Sequence, residues 1–108
     1  MDLINLKVKT KKQTYPIIIG SGVLNKLKKI FKENLIKFNQ CLIVVDNKVP
    51  EKMIKKILTS LQEKQTTIHY FHATELNKNQ KNVNKILSIL LKKNFNRNDC
   101  LISIGGGI

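Results

Sequence analysis

Apolar and polar positions along the chain follow two different periods, and these divide its first part into a hairpin and a helix. Residues 3–10 alternate between apolar and polar side chains, a polar break follows, and an extended apolar pattern resumes over 15–19. This arrangement predicts an amino-terminal β-hairpin. From Val23 to about Asn34 apolar residues recur at helical spacing with lysines on the other face, which predicts an amphipathic helix.

The rest of the chain has the pattern strand, helix, strand, helix, strand. Short continuous apolar runs predict the strands, and a helical period predicts the helices between them. In order, the predictions are a strand over 41–45, a helix from 50 to about 64, a strand over 66–71, a helix over 80–93 and a strand over 100–104. This alternation favours an α/β fold, a Rossmann-like parallel sheet with flanking helices and an amino-terminal hairpin.

The last predicted strand runs directly into three glycines, Gly105, Gly106 and Gly107. Glycines at such a point remove the Cβ atoms, permit positive φ and let backbone N–H groups approach a pyrophosphate. The sequence stops at Ile108, before the helix that would normally help to hold the phosphates. We therefore expect residues 1–108 to be the incomplete amino-terminal part of a longer protein.

Three polar features fall at the carboxyl ends of predicted strands: Asp46, the loop from Glu75 to Lys78, and the glycines 105–107. In an open parallel sheet, ligands bind at that edge. An aspartate there can accept hydrogen bonds from ribose hydroxyls, the Glu and Lys can address sugar and charge, and the glycines can cradle a diphosphate. A dinucleotide would use all three, although for Asp46 alone a turn or helix-cap role is an equal alternative.

Composition narrows the class of partner. The net charge is +13, which would ordinarily suggest nucleic acid or an anionic membrane. However, Arg97 is the sole arginine among the 20 basic residues and there is no tryptophan, whereas nucleic-acid readers rely on arginine forks and stacking aromatics. We therefore expect a solvated lysine surface that binds neither nucleic acid nor membrane, on a cytoplasmic protein in which Cys41 and Cys100 are buried free thiols.

Two further patterns imitate functional motifs. Gly20 and Gly22 follow a predicted strand and open a helix, as in a dinucleotide fingerprint, but Asn25 stands where that motif has its last glycine. We interpret these glycines as a tight strand-to-helix turn. His69 and His72 lie in an extended segment that sends their side chains to opposite faces, so we do not expect them to bind a metal together.

Taken in order, the chain resembles the amino-terminal part of the 3-dehydroquinate synthase family. The resemblance covers essentially the whole chain but only the first part of a family member. It rests on Tyr15 to Gly22, on Val44-Val45-Asp46, on the loop with Glu75 and Lys78, on Arg97-Asn98-Asp99 and on Ile102 to Ile108. The alternatives are the NAD domain of a glycerol dehydrogenase-like protein or another sugar-phosphate cyclase, and a small basic nucleic-acid-binding module.

The resemblance implies an enzyme in the full-length protein. Such a phosphorus-oxygen lyase uses NAD and a divalent metal, zinc or cobalt, to convert 3-deoxy-D-arabino-heptulosonate 7-phosphate to 3-dehydroquinate plus phosphate in the shikimate pathway, which leads to chorismate and aromatic amino acids. Its metal ligands lie in a helical carboxyl-terminal domain that is absent here, so no catalytic or metal-binding residue falls within 1–108 and this part alone would be inactive. The full-length protein would form a homodimer.

The same resemblance assigns roles to residues that match the family pattern. It implies that Asp46 contacts a ribose, that Glu75 and Lys78 contact the nucleoside side of NAD, and that Gly105, Gly106, Gly107 and Ile108 contact the pyrophosphate. One departure is Thr74, where the family usually has glycine; a positive φ there would strain a threonine. Arg97 and Asp99 match the pattern too, and we interpret them as structural, at a helix exit and a strand entry.

Overall fold

The strands and helices occur in the order that the hydrophobic pattern of the sequence predicts. The computed structural model describes residues 3–107, and in this part of the chain the amphipathic helix begins as a short 3-10 helix over Val23–Lys26. The strands are β1 (Ile4–Lys9), β2 (Thr14–Ile19), β3 (Gln40–Asp46), β4 (Gln65–Phe71) and β5 (Cys100–Ile104). The α-helices are α1 (Leu27–Glu33), α2 (Glu51–Ser60) and α3 (Gln80–Lys92). The predicted α/β architecture is therefore confirmed.

β3 is the central strand of a parallel sheet with the order β4-β3-β5. Ile43 aligns with Ile68 on one side and with Ile102 on the other. Because β3 has neighbours on both edges and is covered on both faces, its side chains Cys41, Leu42, Ile43 and Val45 are completely buried. This burial explains why the β3 sequence is a continuous apolar run and not an alternating one.

The two faces of the sheet carry different layers. On one face, Ile43 and Val45 pack into a core with Ile54 and Ile57 of α2, and an edge-to-face aromatic pair, Phe31 with Phe38, closes that core at a centroid distance of 5.9 Å. On the other face, side chains of α3 and of the sheet line an open cleft: Val44, Ser103, Val83 and Ile86. One face of the sheet is thus buried in the core, and the other face forms the floor of the open cleft.

The connections reverse direction at β3. The chain leaves β3 through α2 to reach β4, and then returns through α3 past β3 to pair β5 on the opposite edge. β3 and β5 are consequently the adjacent strands at which the connections diverge. In open α/β sheets the crevice beyond the carboxyl ends of such a strand pair is the usual place for a ligand.

β1 and β2 form a two-stranded antiparallel sheet separate from the parallel one. Gly20, just after β2, lies so close to Leu3 that a Cβ atom would collide with it, and Gly22 has φ +72°. These two constraints confirm the strand-to-helix turn predicted for the glycines. No helix within residues 3–107 is long and apolar enough to cross a membrane.

The two cysteines are register partners on neighbouring strands, Cys41 on β3 and Cys100 on β5. Both are free thiols. Cys41 is buried as predicted, whereas Cys100 is half-buried because β5 is an edge strand. Burial raises the pKa of both thiols, so neither is an activated nucleophile.

Candidate functional site

The open cleft has a volume of about 560 Å³ and lies at the carboxyl ends of β3 and β5. Four of the sequence-predicted site residues line it: Asp46, Lys78, Gly105 and Gly106. Glu75 and Gly107 are exposed next to these residues in the chain but do not line the cleft, and Ile108 lies outside the residues that the structure describes. The fold therefore brings together features that are as much as 60 positions apart in the sequence, such as Asp46 and Gly106.

Asp46 and Gly105 are direct neighbours across the end of the sheet. A Cβ atom built on Gly105 would lie 3.4 Å from the Cβ of Asp46, in van der Waals contact with it. Oδ1 of Asp46 accepts a hydrogen bond from the backbone N–H of Lys48 at 3.1 Å and so holds the turn after β3. Oδ2 accepts no hydrogen bond from residues 3–107, which leaves it free to receive a ligand hydroxyl. Asp46 therefore serves as a turn residue with one oxygen and is open to the cleft with the other.

The glycines after β5 present bare backbone to open space. Nothing lies within 4 Å of the positions that Cβ atoms would occupy on Gly106 and Gly107. None of the three has a positive φ, since Gly22 is the sole glycine with one in the described part of the chain. Positive φ, which glycine permits, is therefore not used at these three positions, and what distinguishes them is the absence of Cβ atoms. No contact within the described chain requires glycine at 106, so its missing side chain leaves room for an occupant of the cleft.

The loop between β4 and α3 accommodates Thr74 without strain. Thr74 does not have a positive φ; the non-glycine residues that do are Leu35 and Asn94. Its hydroxyl Oγ1 accepts a hydrogen bond from the backbone N–H of Asn77 at 3.2 Å, a side-chain turn that glycine cannot make. The strain that a positive φ would have caused is therefore absent, and the threonine itself stabilises the loop.

A group of asparagine side chains fixes the position of this loop, and sequence reasoning missed it. The Nδ2 group of Asn77 donates to the carbonyl of His72 at 3.0 Å, and the Nδ2 group of Asn82 donates to the carbonyl of Asn77 at 2.7 Å. Asn79 caps α3, because its Oδ1 accepts the N–H of Asn82 at 3.0 Å. A polar residue before a helical period is a recognisable cap signal, but the contact from Asn82 back to the loop has no sequence signature.

Charge in the cleft is divided between two ends. The carboxylate of Asp46 lies at the β3 end, and the ammonium-bearing residue Lys78 lies at the α3 end beside the helix N-terminus. A cation and free backbone N–H groups near a helix N-terminus favour a phosphate group, and a carboxylate favours sugar hydroxyls. In the described residues, no group of three or more His, Cys, Asp and Glu is placed to hold a metal ion. The two ends of the cleft are therefore chemically suited to a ligand that carries both phosphate and hydroxyl groups.

The fold is Rossmann-like, with a parallel β4-β3-β5 sheet and helices on its faces. Residues 15–108 match the family model described as iron-containing alcohol dehydrogenase. The chain therefore belongs to the iron-containing alcohol dehydrogenase family.

Named relatives place the chain more closely within that family. It is 60% identical over 108 residues to a 3-dehydroquinate synthase of Pelagibacter ubique (strain HTCC1062), a match that covers 100% of this chain and 29% of the relative. It is also 31% identical over 107 residues to the 3-dehydroquinate synthase of Streptococcus mutans serotype c, covering 97% of this chain and 30% of that protein. The resemblance inferred from the sequence is confirmed, and the chain spans less than a third of the length of these relatives.

Among solved structures, the chain is similar to 2-deoxy-scyllo-inosose synthase, with a TM-score of 0.81 at 17% sequence identity. This match covers 96% of the chain and 29% of that protein. A second structure of the same enzyme, also at a TM-score of 0.81, is complexed with carbaglucose-6-phosphate, NAD+ and Co2+. The similarity in structure confirms the fold.

Proposed function

We propose that residues 1–108 form the NAD-binding amino-terminal portion of a 3-dehydroquinate synthase. The observation that carries this proposal is the 60% identity to the Pelagibacter ubique enzyme over the whole chain. The cleft supports it independently, because it lies where doubly wound sheets bind nucleotides. In this proposal the helical, metal-binding carboxyl-terminal domain of the enzyme is contributed by sequence beyond these residues.

Each predicted site residue has a role in that proposal. Oδ2 of Asp46 accepts a hydrogen bond from a ribose hydroxyl, and the bare backbone at Gly105 and Gly106 receives the pyrophosphate. Gly107 and Ile108 also contact the pyrophosphate in this proposal. Glu75 contacts the nucleoside side, as the resemblance implies. For Lys78, which the resemblance also assigns to the nucleoside side, its place in the cleft beside the N-terminus of α3 favours a second role in offsetting the negative charge of the phosphates. The contact between Asp46 and Gly105 and the open space above Gly106 support these roles. When bound, NAD supplies a reversible acceptor for hydride.

The remaining machinery belongs to the whole protein. The full-length enzyme acts as a phosphorus-oxygen lyase on 3-deoxy-D-arabino-heptulosonate 7-phosphate, in the cytoplasm and as a homodimer, with zinc or cobalt bound by its carboxyl-terminal domain. Support for a phosphorylated sugar, a dinucleotide and a divalent metal comes from the related 2-deoxy-scyllo-inosose synthase, which was solved with one of each. Residues 1–108 alone would be inactive, because the metal and substrate ligands are contributed by the other domain.

A chimeric enzyme tests the proposal directly. The first 108 residues would replace the matching segment of the Pelagibacter ubique synthase, whose 60% identity makes the domain contacts compatible. We expect the chimera to release phosphate from 3-deoxy-D-arabino-heptulosonate 7-phosphate in an NAD-dependent manner. A folded chimera that binds metal but releases no phosphate would contradict the proposal.

A substitution in the cleft tests the cofactor site within the chimera. Gly106→Val adds a side chain where no protein atom lies within 4 Å, so it fills the cleft without disturbing the fold. We expect the KM for NAD to rise at least about tenfold, the equivalent of roughly 1.4 kcal/mol of lost binding. Ser88→Val, on the exposed side of α3, is the matched control and should leave the KM unchanged. Equal kinetics for the two variants would remove the glycines from the cofactor site.

A further inference from the structure

A second pocket lies next to the amino end of β3. Its lining residues come from 28–38, which include most of α1 and part of the segment that leads into β3, and from 60–64, at the end of α2. Its volume is about 240 Å³, and we call it the basal pocket. None of its lining residues also lines the cleft at the carboxyl ends of the strands. The basal pocket is therefore a separate site.

The floor of the basal pocket is apolar, and its mouth carries further apolar surface. Phe38 and Leu61 are buried members of the core beneath it, and Phe31 packs against that core. Leu35 and Ile36 line the same pocket but are 80% and 41% exposed. Leu35 also has a φ of 55°, which strains a leucine, and strain of this kind is concentrated at functional sites. These two side chains contribute little to the core and are available to a ligand.

The rim of the basal pocket is positively charged. Four lysines and one glutamate line it: Lys28, Lys32, Lys37, Lys64 and Glu63. Glu63 pairs with Lys28 at 3.5 Å, and within residues 3–107 no carboxylate pairs with the other three lysines. The carboxyl ends of α1 and α2 each act as roughly half a negative charge. Four positive charges against one carboxylate and these two helix ends leave an excess of about two positive charges, so the pocket favours an anion.

Positive charge and apolar surface meet at one point in the basal pocket. The Nζ atom of Lys64 lies 5.3 Å from the centroid of the Phe38 ring, so an ammonium group stands over the apolar floor. An ammonium has three donors, and its contact with a ring leaves donors that a carboxylate can accept. A ligand with both an anionic group and an apolar part can therefore use the rim and the floor together.

The size of the basal pocket limits its occupant. The volume is below the range of about 300–1,000 Å³ that is usual for sites of drug-sized ligands. Inorganic phosphate would match the lysines but would leave the apolar floor uncovered. We propose that the basal pocket binds a small amphipathic anion, a carboxylate with a short apolar body. This inference does not depend on the proposed function.

Octanoate tests the proposal, because it joins one carboxylate to a short alkyl chain. Titration of the 108-residue chain is followed by NMR through the backbone amide shifts of Ser60, Leu61 and Lys64. We expect saturable shifts at these amides with a Kd on the order of 1 mM, and much smaller shifts at Gly105 and Gly106 in the cleft. Octanamide, the neutral isostere, should bind at least about fivefold more weakly. Inorganic phosphate should not displace octanoate at equal concentration.

Two matched pairs of variants separate the contributions of charge and apolar surface. Lys64→Gln removes the ammonium above the floor, whereas Lys56→Gln removes one from an exposed position of α2 outside the pocket. Leu35→Asn removes an apolar side chain that is 80% exposed, whereas Leu91→Asn removes one that is 78% exposed on α3. We expect Lys64→Gln and Leu35→Asn each to raise the Kd at least about threefold and their controls to leave it unchanged. Because asparagine tolerates positive φ, amide shifts away from the pocket should stay the same in Leu35→Asn.

The same measurements can overturn the proposal. It fails if no saturable shift appears up to about 10 mM octanoate, if the cleft amides shift as strongly as those of the pocket, or if octanamide binds as tightly as octanoate. It also fails if phosphate displaces octanoate, or if Lys64→Gln and Leu35→Asn both bind octanoate as tightly as the unmodified chain. Shifts that are confined to the pocket and weaken in these two variants but not in their controls would support it.

Discussion

At the scale of single residues, Asp99 joins the starts of two strands. Its Oδ1 accepts the backbone N–H of Gln40 at 3.3 Å, and its Oδ2 accepts the Gln40 side-chain amide at 3.2 Å and the backbone N–H of Asn96 at 2.9 Å. The hydrogen bond from Asn96 is the largest cause of a lowered pKa for this carboxyl; desolvation opposes it, and the two bonds from Gln40 add to the lowering. The structural role expected for Asp99 at a strand entry is confirmed.

The lowered pKa of Asp99 predicts a pH dependence of stability. Because the folded state favours the charged carboxylate, its contribution is fully present above the ordinary aspartate pKa and is lost as the pH falls through the lower folded value. Asp99→Asn keeps one acceptor oxygen but loses the charge. We expect its urea midpoint to be below that of the unmodified chain at neutral pH and the two curves to converge in acid. Curves that stay parallel down to the acid transition would contradict this.

Some contacts in and around the cleft could be predicted from the sequence, and others could not. Asp46 and Gly105 follow apolar runs that are recognisable as strands, and the carboxyl ends of parallel strands meet at one edge, so their proximity was predictable. The contact of Thr74 with Asn77 and that of Asn82 with the same loop were not. They depend on the path of an irregular segment, which propensity and period do not determine.

At the scale of elements, two helices end in the same way with different residues. After α1, Leu35 donates to the carbonyl of Lys32 at 3.2 Å with a φ of 55°, in a Schellman motif. After α3, Asn94 makes the equivalent bond to Leu91 at 3.2 Å with a φ of 56°. Asparagine tolerates this left-handed conformation, whereas leucine is strained in it. Leu35 is also 80% exposed, so packing gives little in return.

This contrast predicts that Leu35→Asn stabilises the protein. The change relieves a left-handed leucine and removes little buried surface, so we expect the free energy of unfolding to rise by about 0.5–1 kcal/mol. Leu35→Ala is the control, because it shortens the side chain but keeps a residue that disfavours positive φ, and its gain should be smaller. Urea denaturation at a fixed protein concentration measures both. A loss of stability in Leu35→Asn would show that the leucine side chain contributes more than its exposure indicates.

The end of α2 shows where periodicity misleads at this scale. The apolar period predicted a helix to about residue 64, but α2 ends at Ser60. The hydroxyls of Thr59 and Ser60 donate to the carbonyls of Lys55 and Lys56 at 2.9 and 3.1 Å, and such side-chain bonds compete with continuation of the helix. Leu61 then continues the apolar period outside the helix because it is buried in the core. An apolar period shows which residues are buried, and a residue beyond the end of a helix, such as Leu61, can be buried as well.

At the scale of the molecule, the sequence predicts the topology of the parallel sheet better than it predicts the burial of the hairpin's apolar side chains. Alternating strands and helices leave few parallel topologies, so the β4-β3-β5 order was within reach of the pattern. The alternation in β1 and the extended apolar pattern in β2 also predicted the antiparallel pair correctly. The pattern could not indicate how far the apolar side chains of the hairpin are buried, and Leu6 and Ile17 are exposed in the structure.

At the scale of the whole molecule, surface charge also affects the stability of the folded state. Within residues 3–107 the ion pairs are Lys28 with Glu63 at 3.5 Å and Lys29 with Glu33 at 3.8 Å, and all four side chains are mostly exposed. Exposed pairs of this kind contribute little stability. Most of the charge behind the net +13 is therefore uncompensated and repels itself in the folded state.

That repulsion predicts a molecule stabilised by salt. Raising NaCl from low concentration to about 0.3 M brings the Debye length below roughly 10 Å, and screening should raise the thermal midpoint by about 4 °C, near 1 kcal/mol for a domain of this size. Lys56→Glu, at an exposed position of α2, lowers the net charge by two; it should raise the midpoint at low salt and reduce the gain from NaCl. Protein concentration is held fixed, because any self-association would also shift the midpoint. A midpoint that is insensitive to salt in both proteins would mean that the lysines are already neutralised by contacts or bound anions.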